Sequence, residues 1–193
     1  MPDTPVRRDD ILRCTQSLIV AGGYNGFSYA DISKAVGIRN ASIHHHFPTK
    51  ARLVRELILQ YRDNVANGLA QLDRKIPRPL ERLRFYVDYW QTCIADGTRP
   101  FCVCALLATE LPILPDEVAV EVRGHFRTLR DWLVAVLEQG AAEGAIRLHQ
   151  PAGVEAEIFM ASVHGALLSA RAYNDPTVFG TVLNPQLARL AGS

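Results

Sequence analysis

The sequence lacks most of the features that would take a 193-residue chain away from an ordinary helical domain. No apolar run approaches the ~20 residues a membrane span needs. The opening MPDTPVRRDD has no apolar signal-peptide core, so the expected location is the cytoplasm with no membrane partner. The four cysteines have neither zinc-type spacing nor the pattern of a secreted disulfide framework, which makes free thiols the default. No glycine-rich phosphate loop follows a strand, no nucleophile lies beside a general base in a recognisable motif, and no paired metal ligands occur. The expectation is therefore of no enzyme and no cofactor. Internal repeats, low-complexity tracts and runs of alternating strand residues are missing too.

What remains is a chain that is 48% hydrophobic and 21% charged, with Leu, Ala, Val, Arg and Glu filling its long segments. Apolar residues recur at three- and four-residue steps throughout, which predicts an all-α protein: a three-helix head, a connecting helix, then a bundle of about five helices. A loose arm, Met1 to Arg8, would add Arg7 and Arg8 to the surface that the head presents. Ile11, Leu12, Leu18 and Ile19 place the first helix over Asp9 to Ala21, with Cys14 as a small core residue and Gly22-Gly23 as its stop. Thr49 caps a long helix from Lys50 to about Leu72. The Pro77 and Pro79 pair then marks a junction, giving residues 1–48 as head, 49–76 as connector and 77–193 as the second domain. Beyond it, Leu80, Leu83, Val87, Trp90 and Ile94 stripe one helix ending before Gly97, and Asp96 to Pro100 form a turn. A short helix from Phe101 to Glu110 follows. A long one runs from about Pro115 to Glu143, weakening at Gly140 and Gly144, and a final pair covers Val154 to Tyr173 and Pro176 to Ala191.

The stretch that organises the rest is FSYADISKAVGIRNASIHHHFPTK, Phe27 to Lys50. Ser28 can cap a helix start while Asp31, three residues on, reaches back as in a capping box. Ala30, Ile32, Ala35 and Val36 give that helix an apolar side, Gly37 permits the left-handed turn, and Ile38 is its expected buried residue. A second helix from Asn40 to His46 is stopped by Pro48. This is the helix-turn-helix plan, whose second helix enters the major groove. Charge agrees: between Ile32 and Arg55 there are five Lys or Arg and no Asp or Glu, and residues 1–67 carry +3 against −2 for the remainder.

These residues carry a resemblance. Residues 9–60, above all FSYADISKAVGIRNASIHHHFPTKARLVRELI, resemble the DNA-binding domain of the TetR family of transcriptional repressors. A Gly-Phe-Ser/Thr segment, an A-x-x-[IV]-A-x-x-[AV]-G-[IV] helix and an x-x-H-F-x-x-K run recur in that family. The chain departs from the pattern in having Ala41 and Ser42 where Gly and Thr are frequent, and His44 in place of the usual Tyr. The resemblance implies a ligand-responsive, homodimeric repressor that binds double-stranded DNA and is released by a small-molecule inducer. Arg39, Asn40, Ala41 and Ser42 begin the recognition helix, where side chains reach base edges; Arg to guanine and Asn to adenine are the matched pairs. Lys34, His44, His45, His46 and Lys50, with Ser28, complete the expected DNA contacts, phosphates among them. Three consecutive histidines point about 100° apart on a helix and cannot converge on one ion, so no metal is expected there.

Two further constellations lie in the second domain. Cys102 and Cys104 sit at a predicted helix start, where free amides favour a thiolate, ahead of a Leu107-to-Glu110 L-x-x-E run similar to one in oxidant-sensing TetR-like regulators. A thiol-based sensor is thus an alternative, set against the simpler reading of small core residues. Tyr86, Tyr89, Trp90, Phe101, Phe126, Trp132 and Phe159 lie on candidate pocket helices, and the resemblance implies an inducer cavity among them, with His125 and His164 as polar handles. Ala161, Gly165, Ser169 and Ala172 form a small-residue stripe expected at the dimer interface, while Phe159, Val163 and Leu167 face inward.

Overall fold

The computed structural model describes residues 8–98 and 101–191. Arg7 of the predicted arm, and Arg99 and Pro100 of the predicted turn, lie outside the described residues. Among the described residues all regular structure is helical: α1 (Arg8–Gly22), α2 (Tyr29–Val36), α3 (Asn40–His46), α4 (Lys50–Lys75), α5 (Pro79–Ala95), α6 (Val103–Thr109), a 3-10 turn (Leu111–Ile113), α7 (Asp116–Ala142), α8 (Ala152–Tyr173) and α9 (Thr177–Ala191). The sequence places each of these helices to within a few residues and misses the 3-10 turn. α7 runs through Gly140, where the helix was expected to weaken, and Ile146 fills the space of the absent side chain: a Cβ there would lie 2.4 Å from Ile146 Cδ1.

The domain boundaries differ from those read off the sequence. The chain forms two compact units: residues up to 63 together with Val103–His125, and Asn64–Cys102 together with Phe126 onward. The connector α4 is therefore divided between the units, and α6 with the first part of α7 joins the head.

In the first unit, Ile11, Leu12 and Ile19 of α1, Ile32 of α2, Ile43 of α3 and Leu53, Val54 and Ile58 of α4 are fully or almost fully buried, as are Val103, Cys104, Leu107, Val118 and Val122. A buried Leu or Ile contributes about 1.5–3 kcal/mol, so α6 is part of what holds the head. Ala30 and Ala35 are exposed and Ile38 is half-buried, leaving Ile32 as the buried anchor of α2. The apolar side is narrower than expected, with Val36 half-buried beside Ile32. Glu121 on α7 is buried and pairs with Arg62 at 2.8 Å and Arg55 at 3.5 Å, both from α4. Gly124 admits the Arg62 side chain, since a Cβ there would lie 2.3 Å from its guanidinium.

In the second unit, Leu83, Val87, Leu133, Val136, Leu137, Phe159, Val163, Leu167, Phe179 and Leu183 make the core. Arg82, also buried, fixes the Pro77 junction by donating to the carbonyls of Ile76 (2.7 Å) and Pro77 (3.0 Å) and to Gln139 Oε1 (2.9 Å). Glu155, at 1% exposure, ties the start of α8 to the end of α9. It accepts both guanidinium nitrogens of Arg189 (3.0 and 2.5 Å) and the backbone N–H groups of His149 (3.1 Å) and Gln150 (3.2 Å).

The Arg189 hydrogen bonds, seconded by those two amides, outweigh burial and hold the Glu155 carboxyl below its ordinary pKa. A carboxylate depressed in the folded state stabilises above its unfolded pKa of about 4.3 and loses that contribution as pH falls through the folded value. Glu155→Gln is expected to cost about 2 kcal/mol at neutral pH, a fall in Tm of roughly 4–8 °C. The gap from wild type should close at acid pH, where both side chains are neutral. Asp31, Asp96 and Asp175, held low by Ser28, Thr98 and Thr177, titrate alike in both proteins, so urea denaturation of the pair against pH isolates Glu155.

Candidate nucleic-acid interface

α2 begins where the sequence predicts. The Ser28 N–H donates to Asp31 Oδ2 at 2.7 Å and its hydroxyl donates to the same oxygen at 2.7 Å. These bonds, the hydroxyl's first, hold the Asp31 carboxyl below its usual range. Gly37 ends α2 with φ 77°, and its N–H returns to the Ser33 carbonyl at 2.9 Å. Ser33 Oγ then donates to the Ile38 carbonyl at 2.5 Å and Ile38 N–H to the Ser33 carbonyl at 3.2 Å, so one serine closes the turn from both sides. That geometry sets the angle between the two helices.

α3 is seven residues long and buries Ile43, with Phe47 buried immediately after it. Tyr29, from the first turn of α2, donates its hydroxyl to the Phe47 carbonyl at 2.7 Å, and burial pushes its phenol up to about 12. Its ring stands 4.5 Å from that of His44. The two helices are therefore joined at the turn and again at the far end of α3. Lys34, Arg39, Asn40, Ala41, Ser42, His44, His45 and His46 are all exposed. The outward side of α3 thus presents donors and acceptors, and no Asp or Glu lies on it.

Two of the expected contacts are engaged inside the head. The Ser28 hydroxyl serves Asp31, and Lys50 turns inward, donating from Nζ to the Phe27 carbonyl at 2.5 Å. The Lys50 ammonium lies 4.1 Å from the centre of the Phe27 ring and 5.0 Å from that of Tyr24, and burial lowers its pKa. His44 is exposed yet stacked on Tyr29, and His45 and His46 stand edge-on at 5.7 Å. No group of three side chains that could hold a metal occurs among the described residues. Arg8 sits over the Phe47 ring at 5.3 Å and pairs with Glu56, which also accepts from Arg52 at 3.0 Å.

One long-range contact escapes sequence reasoning. Glu110, noticed only as part of the L-x-x-E run, accepts the Tyr24 backbone N–H at 2.7 Å from 86 residues away. No local pattern signals such a pairing.

In the second unit the expected pocket residues divide. Tyr86, Trp90, Phe101 and Phe159 are buried, Phe126 and His164 are half-buried with rings 5.1 Å apart, and Tyr89 is 38% exposed. Tyr86 stands 5.6 Å from Trp132, which donates to Asp73 at 3.0 Å. His125 belongs to the first unit, buried against Tyr61 at 5.3 Å, and so is not among them. A surface depression of about 560 Å3 lies instead over Asp88, Gln91, Thr92, Ala95 and Asp96, and none of the expected aromatics lines it. Cys102 and Cys104 are 1% and 0% exposed, so both thiols are buried. On α8, Ala161, Gly165 and Ala172 are exposed and Ser169 is half-buried, whereas Phe159, Val163 and Leu167 are buried.

Comparison with known proteins agrees with this geometry. Residues 11–57 match the family model for bacterial regulatory proteins of the tetR family, and residues 79–184 match the tetracyclin repressor-like C-terminal domain. A TetR-family transcriptional regulator from Agrobacterium tumefaciens is 59% identical in sequence. It superposes with a TM-score of 0.93 over 95% of this chain and 97% of that one. A TetR transcriptional regulator from Legionella pneumophila is 26% identical, with a TM-score of 0.86 over 98% of this chain and all of that one, 100%. The HTH-type transcriptional repressor KstR2 of Mycolicibacterium smegmatis is 27% identical over 150 residues, 76% of this chain and 72% of the relative. No helix among the described residues is long and apolar enough to cross a membrane. The chain belongs to the TetR family of bacterial regulatory proteins, and is a DNA-binding transcriptional repressor rather than an enzyme.

Proposed function

We propose that the protein acts in the cytoplasm as a homodimer whose two α3 helices read a palindromic operator and whose second unit takes up a small apolar or aromatic inducer. The observation that carries the first part is the exposed start of α3, where Arg39, Asn40 and Ser42 present side chains matched to base edges on a helix otherwise pinned to the head. Lys34 and the three histidines flank them as phosphate contacts. A two-fold dimer would set the two recognition helices about 34–36 Å apart, one turn of DNA.

The dimer assignment rests on α8. Val154, Ile158, Ala161, Gly165, Leu168 and Ala172 follow one another at alternating steps of four and three and are all exposed, Leu168 to 59%. A monomer has no use for such a stripe in water, while a second copy of the helix would bury it. The inducer reading rests on the aromatic side chains gathered in the second unit, with Phe126 and His164 the half-buried members. An inducer releases DNA only by binding two arrangements of the protein unequally.

The test is a fluorescence anisotropy titration on a duplex enriched by the protein from a randomised library, against a scrambled duplex at fixed salt, with light scattering for the oligomeric state. Selective binding by a dimer is expected. A protein that enriches no duplex, or binds both duplexes alike, would overturn the operator reading.

A further inference from the structure

We propose that Glu110 is a positioning residue for operator reading: its carboxylate fixes the Gly23–Phe27 corner from which the helix-turn-helix departs. This rests on the reading of α3 as the operator-contacting helix.

The corner has little of its own to define it. Gly22, Gly23 and Gly26 fall within five residues, and Gly23 holds φ 78°. Such a sequence is among the least restrained that a chain can have. Into the space that a Gly23 side chain would take comes Glu110: a Cβ there would lie 1.9 Å from Glu110 Oε1. The other carboxylate oxygen accepts the Tyr24 N–H at 2.7 Å, at a residue only 8% exposed, where an unpartnered amide is costly. Glu110 is itself held at the junction of α6 and the 3-10 turn, its N–H bonded to the Leu107 carbonyl (3.0 Å) and its carbonyl to the Ile113 N–H (2.9 Å). The anchor is therefore held by its own backbone bonds, independently of the corner it meets.

From Tyr24 the contacts continue without a gap. Lys50 lies over the Tyr24 and Phe27 rings and donates to the Phe27 carbonyl, and the next residue, Ser28, is the cap of α2. Glu110 also supplies negative charge that works against the burial of the Lys50 ammonium. Loss of the carboxylate would leave the core of α1, α2 and α3 intact and free the corner on which the direction of α3 depends. Base contacts need that direction held closely, whereas phosphate attraction tolerates a swing.

The experiment compares wild type, Glu110→Ala and Glu110→Gln, the last keeping an oxygen acceptor without the charge. Affinity for the library-enriched duplex and for scrambled DNA is measured over a range of salt, with circular dichroism and thermal melting as folding controls. For Glu110→Ala, affinity for the enriched duplex should fall about tenfold or more, while scrambled-DNA affinity, salt slope and helix content stay at wild-type values. Glu110→Gln should recover most of the loss. Enriched-duplex affinity unchanged in Glu110→Ala would overturn the assignment, as would a parallel loss on both duplexes with loss of helix content. A wild-type protein that does not discriminate would overturn the α3 reading, and the assignment with it.

Discussion

Replacing Arg39 and Asn40 together with alanine is expected to erase discrimination between the enriched and scrambled duplexes while leaving a folded, DNA-binding protein. Arg paired with guanine and Asn with adenine each contribute about 1–3 kcal/mol of discrimination, so the double variant should lose roughly 30-fold to 10⁴-fold in specificity ratio. Folding should be indifferent. Both residues are exposed, Arg39 caps α3 without a side-chain hydrogen bond, and the helix is held by Ile43, by Phe47 and by Tyr29 at its far end. Residual binding should come from phosphates, with a salt slope shallower by at most about one charge, because only Arg39 removes a cation. Anisotropy on both duplexes across a salt series, with a melting curve for each protein, reads all of these quantities. Undiminished discrimination in the double variant would place sequence reading elsewhere in the head.

Gly165→Arg should break the dimer and weaken binding to the palindromic duplex by about a hundredfold or more, since each half-site would then be bound without its tether. The position makes the experiment clean. A Cβ built at Gly165 meets nothing within 4 Å, so the arginine projects from the exposed side of α8 without disturbing its own chain. In an exposed helix interior the exchange of Gly for Arg is favourable by a few tenths of a kcal/mol or more. The monomer should therefore melt no lower than wild type after allowance for lost dimerisation. The penalty arises only where a second copy must approach, since the arginine of one copy would be buried against that of the other on a symmetric axis. Light scattering at fixed protein concentration decides the matter. A Gly165→Arg protein that remains dimeric would mean that the stripe is not the interface.

How much of this was legible in the sequence depended on whether the signal was local. The Ser28–Asp31 cap, the Gly37 turn and the Pro48 stop lie within a few residues of what they control, and the helices were found where those signals put them. The division into units was not legible, because a linear reading cannot see that α6 shares a core with α1, some 90 residues earlier in the chain. Glu155 and Arg189, 34 residues apart, were missed for the same reason. Lys50 shows a different failure. Counting charge treats every lysine as solvated, yet a flexible stem let this one turn onto two aromatic faces and a carbonyl. On α8, Ala161, Gly165 and Ala172 of the small-residue stripe are exposed where Phe159, Val163 and Leu167 are buried. Val154, Ile158 and Leu168, exposed along the same helix, were not singled out in the sequence.

The shortness of α3 has an evolutionary consequence. Seven residues commit a single one, Ile43, to the core, and the bonds that join the helix to α2 come from Ser33, Ile38, Tyr29 and the Phe47 backbone, all outside it. Its outward positions can drift with almost no change in stability, so under the proposed reading of α3 a duplicated gene would acquire a new genomic address by substitutions at Arg39 to Ser42 while inheriting its scaffold unaltered. Target and fold diverge on separate clocks.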